Sequence, residues 1–170
     1  MYDNKNVLQI AGIEKESIVD GPGFRFTIFV QGCPHRCIGC HNPNTHSFSG
    51  GYKITVNEII NQIKDTSLIS GVTFSGGEPF TQPVALVNLS RKIHNMGYDI
   101  ICYTGYTYEY ILNSQDKDKT DLLSNTDILI DGLFEINKRS LDLKFRGSTN
   151  QRIIDVKKSF ELGKVIEIDL

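Results

Sequence analysis

Four short runs rich in β-branched and aromatic residues recur along the chain, each followed by a loop of unusual composition. This rhythm limits the architecture more than any single motif does. The runs are RFTIFV (25–30), SGVTFSG (70–76), YDIICYTG (98–105) and TDILIDG (126–132), and their composition predicts strands. Between the second and third, PVALVNLSRKIHNMG (83–97) carries Val84, Val87, Ile93 and Met96 at helical spacing and closes on Gly97. TVNEIINQIKDT (55–66) sets Ile59, Ile60 and Ile63 on one side and opens with Thr55 and Glu58, a capping pair. YEYILNS and KTDLLSN predict shorter helical turns after the third strand. Strands alternating with helices form βαβ units and a parallel sheet, and near-continuous apolar strands fit a sheet covered by helices. A complete eight-stranded barrel takes about 250 residues, whereas this chain has 170. The expectation is an α/β fold in one domain over residues 1–170. An open, partial (βα) barrel of about five to six parallel strands is preferred, with a doubly wound open sheet as the alternative.

Composition narrows the function classes. A chain of this length buries roughly 70% of its unfolded surface and needs no staples to fold. The formal charge of −2 gives no overall basic footprint, which argues against nucleic acid as a partner. A local bias exists in the last third, at Lys138, Arg139, Lys144, Arg146, Arg152, Lys157 and Lys158; such a cluster is either a solvated face or a binding surface. The start, MYDNKNVLQIAGIEKES, lacks the basic-then-apolar layout of a secretory signal. No stretch approaches the roughly 20 apolar residues that span a bilayer, so a cytoplasmic protein without a membrane partner is expected, and its thiols stay reduced.

QGCPHRCIGCHNP (31–43) places Cys33, Cys37 and Cys40 in one loop, while Cys102 lies in an apolar run and reads as a small core residue. Clustered thiols in a reducing compartment point to metal rather than disulfide. Thiolates favour zinc, copper(I) or iron–sulfur clusters. Zinc would need His35, His41 or His46 as a fourth ligand, but structural zinc sites usually pair two short knuckles, and this chain has one compact loop. An iron–sulfur cluster ordinarily takes four cysteines. Three leave one iron free for an exogenous ligand, which makes the metal catalytic by the logic that separates catalytic from structural zinc. The cysteine loop follows the first strand, SGGEP the second, YTGYT the third and Asp131-Gly132 the fourth. In parallel α/β folds that is the rim where ligands bind.

The spacing of Cys33, Cys37 and Cys40 resembles the signature of the radical S-adenosylmethionine enzymes. The stretch VDGPGFRFTIFVQGCPHRCIGCHNP resembles, more narrowly, the activating enzymes of glycyl-radical enzymes. RGSTNQRIIDV (146–156), YTGYT and LIDGLF are similar to the short members that activate anaerobic ribonucleoside-triphosphate reductase, and the resemblance runs from Val19 to Val156. It implies an oxidoreductase in which Cys33, Cys37 and Cys40 hold a 4Fe–4S cluster whose open iron chelates S-adenosyl-L-methionine. The cluster splits that cofactor, and the resulting radical takes a hydrogen from a glycine Cα of the large reductase subunit; the electron donor is one such as flavodoxin. Gly39, Cys40 and His41 are expected to line the cofactor. Relatives often place an aromatic residue before the third cysteine; here Gly39 stands there, and His41 either supplies the ring or is a loop histidine. Gly76, Gly77 and Glu78 are expected at the methionine end of the cofactor, although paired glycines also make a plain turn and Glu78 also suits a helix cap. Asp131 binds ribose or an ion, or caps a turn; Arg146 holds the cofactor carboxylate or anchors its loop. Asn150 and Gln151 read as local hydrogen-bonders, and Asp20 orders the cluster's flank or forms a turn. Thr104 stands where longer relatives carry an acidic residue near the ribose. Competing readings are activation of another glycyl-radical enzyme, a radical enzyme acting on a small molecule, and a zinc-stabilised interaction module.

Overall fold

The run Arg25–Val30 is buried at all but one position, as a strand covered on both faces should be. A computed structural model describes residues 4–170. The elements are β1 (Val7–Ser17), β2 (Arg25–Val30), β3 (Tyr52–Thr55), α1 (Val56–Lys64), β4 (Gly71–Gly76), α2 (Pro83–Asn95), β5 (Asp99–Tyr103), α3 (Tyr108–Asn113), α4 (Lys117–Ser124), β6 (Ile128–Asp131), β7 (Arg152–Asp155) and α5 (Val156–Leu162). The strands form one seven-stranded sheet in the order β3-β1-β2-β4-β5-β6-β7.

The expected parallel run is shorter than five to six strands. β2, β4, β5 and β6 are parallel neighbours, while β1 pairs antiparallel with β2 and β3, and β7 antiparallel with β6. The connections explain this. Residues 18–24 between β1 and β2 are too few for a crossover, which takes a dozen or more residues. The connection from β6 to β7 contains a single 3₁₀ turn (Ile136–Lys138) and no α-helix to pack back across the sheet.

The doubly wound alternative fails on helix placement. Apolar residues of all five helices, among them Ile63, Leu86, Ile111, Leu122 and Val156, join one core cluster with Ile28, Phe74, Cys102 and Leu129. The other sheet face carries Ile101, Ile130 and Ile153, packed by Tyr103, Ile128, Phe145, Ile168 and Leu170, with no helical residue among them. Each fully buried Leu or Ile of the helical face contributes about 1.5–3 kcal/mol. Local signals start the helices. Thr55 and Glu58 form a reciprocal capping box at α1, with Thr55 Oγ1 accepting from Glu58 N at 3.2 Å and Glu58 Oε2 from Thr55 N at 2.8 Å, and Pro83 opens α2.

The parallel register brings the carboxyl ends together: Val30 pairs with Gly76, Phe74 with Cys102, and Tyr103 with Ile130. At the opposite end, Arg25 is 1% exposed. Its guanidinium donates to Asp99 Oδ1 at 2.8 Å, Val72 O at 2.7 Å and Thr73 Oγ1 at 3.1 Å. Nearby, Asp127 Oδ2 accepts from Ile100 N at 2.7 Å and pairs with His94 Nε2 at 2.9 Å. Among the described residues no helix is long and apolar enough to cross a membrane.

Candidate functional site

A cavity of about 660 Å³ opens at the carboxyl ends of β2, β4, β5 and β6, and the loop after each of those strands lines it. The loop after β2 supplies Cys33, His35, Cys37, Cys40 and His41; the β4 turn supplies Gly76 and Gly77; the β5 loop supplies Thr104 and Gly105; the β6 loop supplies Gly132 and Phe134. The four loops expected on one rim therefore meet at one cavity. Ile18, Val19 and Asp20 close one side, and residues 143–147 another.

The cysteine loop is held from outside as well as within. Gly32 N donates to Thr45 O at 2.8 Å, Cys33 N to His46 O at 3.2 Å, and Asn42 N to Cys40 Sγ at 3.3 Å. Burial pushes the Cys33 thiol up, while the backbone N–H groups of His35 and Arg36 pull it back. Burial likewise raises Cys37, against the backbone N–H of Phe134. Arg36 has φ +47°, a left-handed conformation that costs a non-glycine residue roughly 1–2 kcal/mol. Cys102 is fully buried in the helical core, away from the cavity, as its apolar run predicts.

The glycines are structural necessities here. Gly76 has φ +92°, and a Cβ on it would stand 2.6 Å from Phe29 Cα; a Cβ on Gly77 would stand 2.4 Å from Gly32 O. Bare backbone therefore faces the cavity at this turn, held by Gly77 N donating to Val30 O and Glu78 N to Gly32 O, both at 2.8 Å.

Both acidic residues expected at the cofactor lie off the cavity wall. Glu78 is fully buried and does not line the cavity. Its carboxylate accepts from Phe80 N at 3.0 Å, Thr104 Oγ1 at 2.9 Å and Gly105 N at 2.9 Å, and lies 2.7 Å from His35 Nε2. Those partners occupy its lone pairs. Asp131, 1% exposed, is also off the cavity wall. It accepts from Tyr108 N at 2.7 Å, capping α3, and from Arg152 Nη2 at 2.5 Å. Arg152 also forks onto Glu109 at 2.7 and 2.9 Å; donating to the Glu109 and Asp131 carboxylates raises its pKa further, and the fork holds Glu109 below the usual carboxylate range.

Other residues fall as expected or reveal new walls. Gly39 has φ +73° and packs under Ile136 rather than on the cavity surface, whereas His41 lines the cavity with its ring 5.1 Å from that of Phe134. Arg146 anchors its own loop, donating to Gln151 O at 2.8 Å, while lining the cavity. Asn150 donates to Leu133 O at 2.8 Å, and Gln151 Oε1 accepts from Gly147 N at 2.9 Å. Asp20 accepts from Ser17 Oγ at 2.5 Å on the cavity flank. Sequence reasoning missed Phe145, held at φ +57° with its carbonyl accepting from Tyr103 Oη at 2.7 Å. It also gave His35 no part beyond a zinc ligand. Neither signal exists in the sequence, because both depend on loops distant along the chain.

The donor set fits an iron–sulfur cluster. Three thiols share one wall of a cavity large enough for a cluster and a nucleoside-bearing ligand, opposite glycine backbone that leaves room for it. Among the described residues no three of His, Cys, Asp and Glu converge on a single ion. Three thiolates of a cube bind three different irons and have no need to converge.

Comparison with known proteins agrees with the site. The profile of the 4Fe-4S single cluster domain family matches residues 19–154. The chain is 38% identical over 144 residues to the anaerobic ribonucleoside-triphosphate reductase-activating protein of Vibrio cholerae, covering 80% of this chain and 90% of that one. It is 35% identical over 143 residues to the Escherichia coli K12 protein of the same name, covering 79% and 90%. A pyruvate formate-lyase-activating enzyme of Clostridium pasteurianum is 39% identical over 118 residues, 64% of this chain and 49% of its own length.

Proposed function

This chain belongs to the 4Fe-4S single cluster domain family and, within it, to the radical S-adenosylmethionine activating enzymes of glycyl-radical enzymes, and on that premise we propose that it activates an anaerobic ribonucleotide reductase. In this reading Cys33, Cys37 and Cys40 ligate a 4Fe–4S cluster and one iron stays open for S-adenosyl-L-methionine. When bound, the cluster and S-adenosyl-L-methionine would supply reductive cleavage of the cofactor's carbon–sulfur bond and, through it, removal of a hydrogen atom from a glycine Cα of the large reductase subunit.

The chain's own residues bind, orient and exclude water. The backbone at Gly76 and Gly77 on the cavity wall receives the amino end of the cofactor, and a side chain on either glycine would press on the backbone of residues 29–32 and displace that turn. Cys40 and His41 flank its purine end, with the His41 ring tilted against that of Phe134; Gly39 serves by permitting the turn between Cys37 and Cys40. Glu78 and Asp131 act from behind the wall, holding the β5 loop and α3 in place. Helices on one face and the cavity on the other support an open partial barrel in one domain. Its mouth is left free for a backbone segment of another protein. An external one-electron donor of the flavodoxin kind, and a cytoplasmic setting, complete the proposal.

The observation that carries the reading is the convergence of three thiols and four strand-end loops on one cavity. It is tested by anaerobic reconstitution with iron and sulfide, then turnover with S-adenosylmethionine and a reductant. Formation of 5′-deoxyadenosine, and a glycyl radical in spin resonance when the reductase is added, are expected. Cofactor cleavage with a radical only on pyruvate formate-lyase would reassign the partner; a colourless zinc protein would overturn the reading.

A further inference from the structure

Glu78 stands in the motif that the resemblance assigns to the cofactor, yet its carboxylate faces away from the cavity and joins three separate segments. It accepts from its own turn at Phe80 N, from the β5 loop at Thr104 Oγ1 and Gly105 N, and it meets the cysteine loop at His35 Nε2, 2.7 Å away. Besides the Cys37 sulfur, which meets the Phe134 N–H, this contact is what ties side chains of residues 34–39 to the structure outside their own loop. The imidazole is seated besides being bonded. A Cβ on Gly105 would stand 2.5 Å from the His35 ring, and the Tyr106 ring meets it edge-on at 4.5 Å.

The turn so held joins Cys33 to Cys37, and within it Arg36 keeps a left-handed φ of +47°. A strained residue persists where its surroundings over-determine it, and the His35–Glu78 contact is such a constraint. Hydrogen bonds to the ligating sulfurs and their exposure to solvent set a cluster's reduction potential, and both change if the turn between two ligands shifts.

We propose that Glu78 is a positioning residue: through its hydrogen bond to His35 it fixes the His35–Arg36 turn between Cys33 and Cys37, and so sets the reduction potential of the cluster held there. This rests on the cluster ligation proposed above. The geometry separates it from a contact with the cofactor, because the carboxylate has no face on the cavity.

The experiment compares wild type, His35→Leu and His35→Gln, each reconstituted anaerobically. Readouts are thermal midpoint, iron per chain, and a redox titration followed by spin resonance of the reduced cluster without S-adenosylmethionine. Gln places an amide donor near the Nε2 position but lacks the ring, so it separates the hydrogen bond from the packing on Tyr106. His35→Leu is expected to fold, with a shifted midpoint potential and an altered spin-resonance line shape, or with reduced iron loading; His35→Gln is expected to restore both. Gly105→Ala, which displaces the same ring, is expected to shift the potential in the direction of His35→Leu and guards against a His35 variant that fails to fold. A potential and line shape unchanged in His35→Leu and Gly105→Ala would overturn the proposal, as would equal loss in His35→Leu and His35→Gln. In those cases a wild-type cluster that still cleaves S-adenosylmethionine leaves the function standing, whereas a wild type without a cluster overturns both.

Discussion

The two ends of the parallel block are built from the same kinds of residue and do opposite things. At the amino ends, Arg25 is buried with its donors directed to Asp99, Val72 and Thr73, and Asp127 bridges His94 to Ile100. Those groups bond one another, and none of them lines the cavity. At the carboxyl ends, Glu78 and Asp131 are just as buried, but their hydrogen bonds support loops whose inner faces carry thiols and bare glycine backbone. Left-handed backbone at non-glycine residues occurs at both ends, at Arg36 and Phe145 beside the cavity and at Leu68 before β4. One end spends its polar groups on closure, and the other spends them on holding an opening.

Changes at the two ends should therefore separate chemistry from stability. The largest effect is expected from Cys37→Ala, which should abolish 5′-deoxyadenosine formation and lower the iron content from about four per chain, while the thermal midpoint of the metal-free protein stays near wild type. A normal iron content with full cleavage would break the contrast. Asp99→Ala should do the reverse. It leaves a buried guanidinium short of its carboxylate, a change costing about 3 kcal/mol, the low end for a broken buried pair because Asp99 is half-exposed. That corresponds to a fall of roughly 6–12 °C in the melting midpoint, with cleavage per folded, iron-loaded chain unchanged. Gly77→Ala should blur the distinction, since its Cβ would press on Gly32 O at 2.4 Å and Val30 O at 3.0 Å. A stability cost of about 1–3 kcal/mol together with a raised KM for S-adenosylmethionine is expected, measured by urea unfolding and by initial rates.

The smallest effect concerns a helix cap beside the amino end of β6, where Asp155 pairs with Ile128. Asp155 caps α5, accepting from Lys158 N at 2.9 Å, and that backbone N–H, followed by the Lys158 side chain, holds its carboxyl below the usual range against a small burial cost. A carboxyl lowered in the folded state stabilises above its unfolded pKa of about 3.9 and loses that contribution as pH falls through the folded value. Asn caps about as well as Asp. Asp155→Asn should thus change neutral stability by a few tenths of a kcal/mol, and its urea midpoint should fall less than that of wild type between about pH 5 and pH 3.

Legibility in the sequence followed the range of each interaction. The capping box at Thr55 and Glu58, the helix from Pro83 and the strand Arg25–Val30 all rest on residues within a few positions of each other, and all lie where their patterns predict. β1, β3 and β7 escaped notice. Val7–Ser17 ends in a charged stretch, Tyr52–Thr55 and Arg152–Asp155 are four residues each, and the order of strands in the sheet settles them. The cysteine loop and the glycine turn were legible because chemistry demands those residue types. Glu78 and Asp131 were misplaced because an acidic residue at a strand end looks the same whether it faces the cavity or Arg152 behind it. Burial decides between these, and burial is a property of the assembled sheet.

The antiparallel strands beside the block limit how such a chain can grow. β1 lies against β2 on one flank and β7 against β6 on the other, and neither offers a parallel partner to the block. A further βα unit cannot join by the usual right-handed crossover without first displacing one of them. Lineages that need a deeper enclosure must lengthen the loops above the strands or append segments at the termini, so diversification of this scaffold is channelled into its crown rather than its staves.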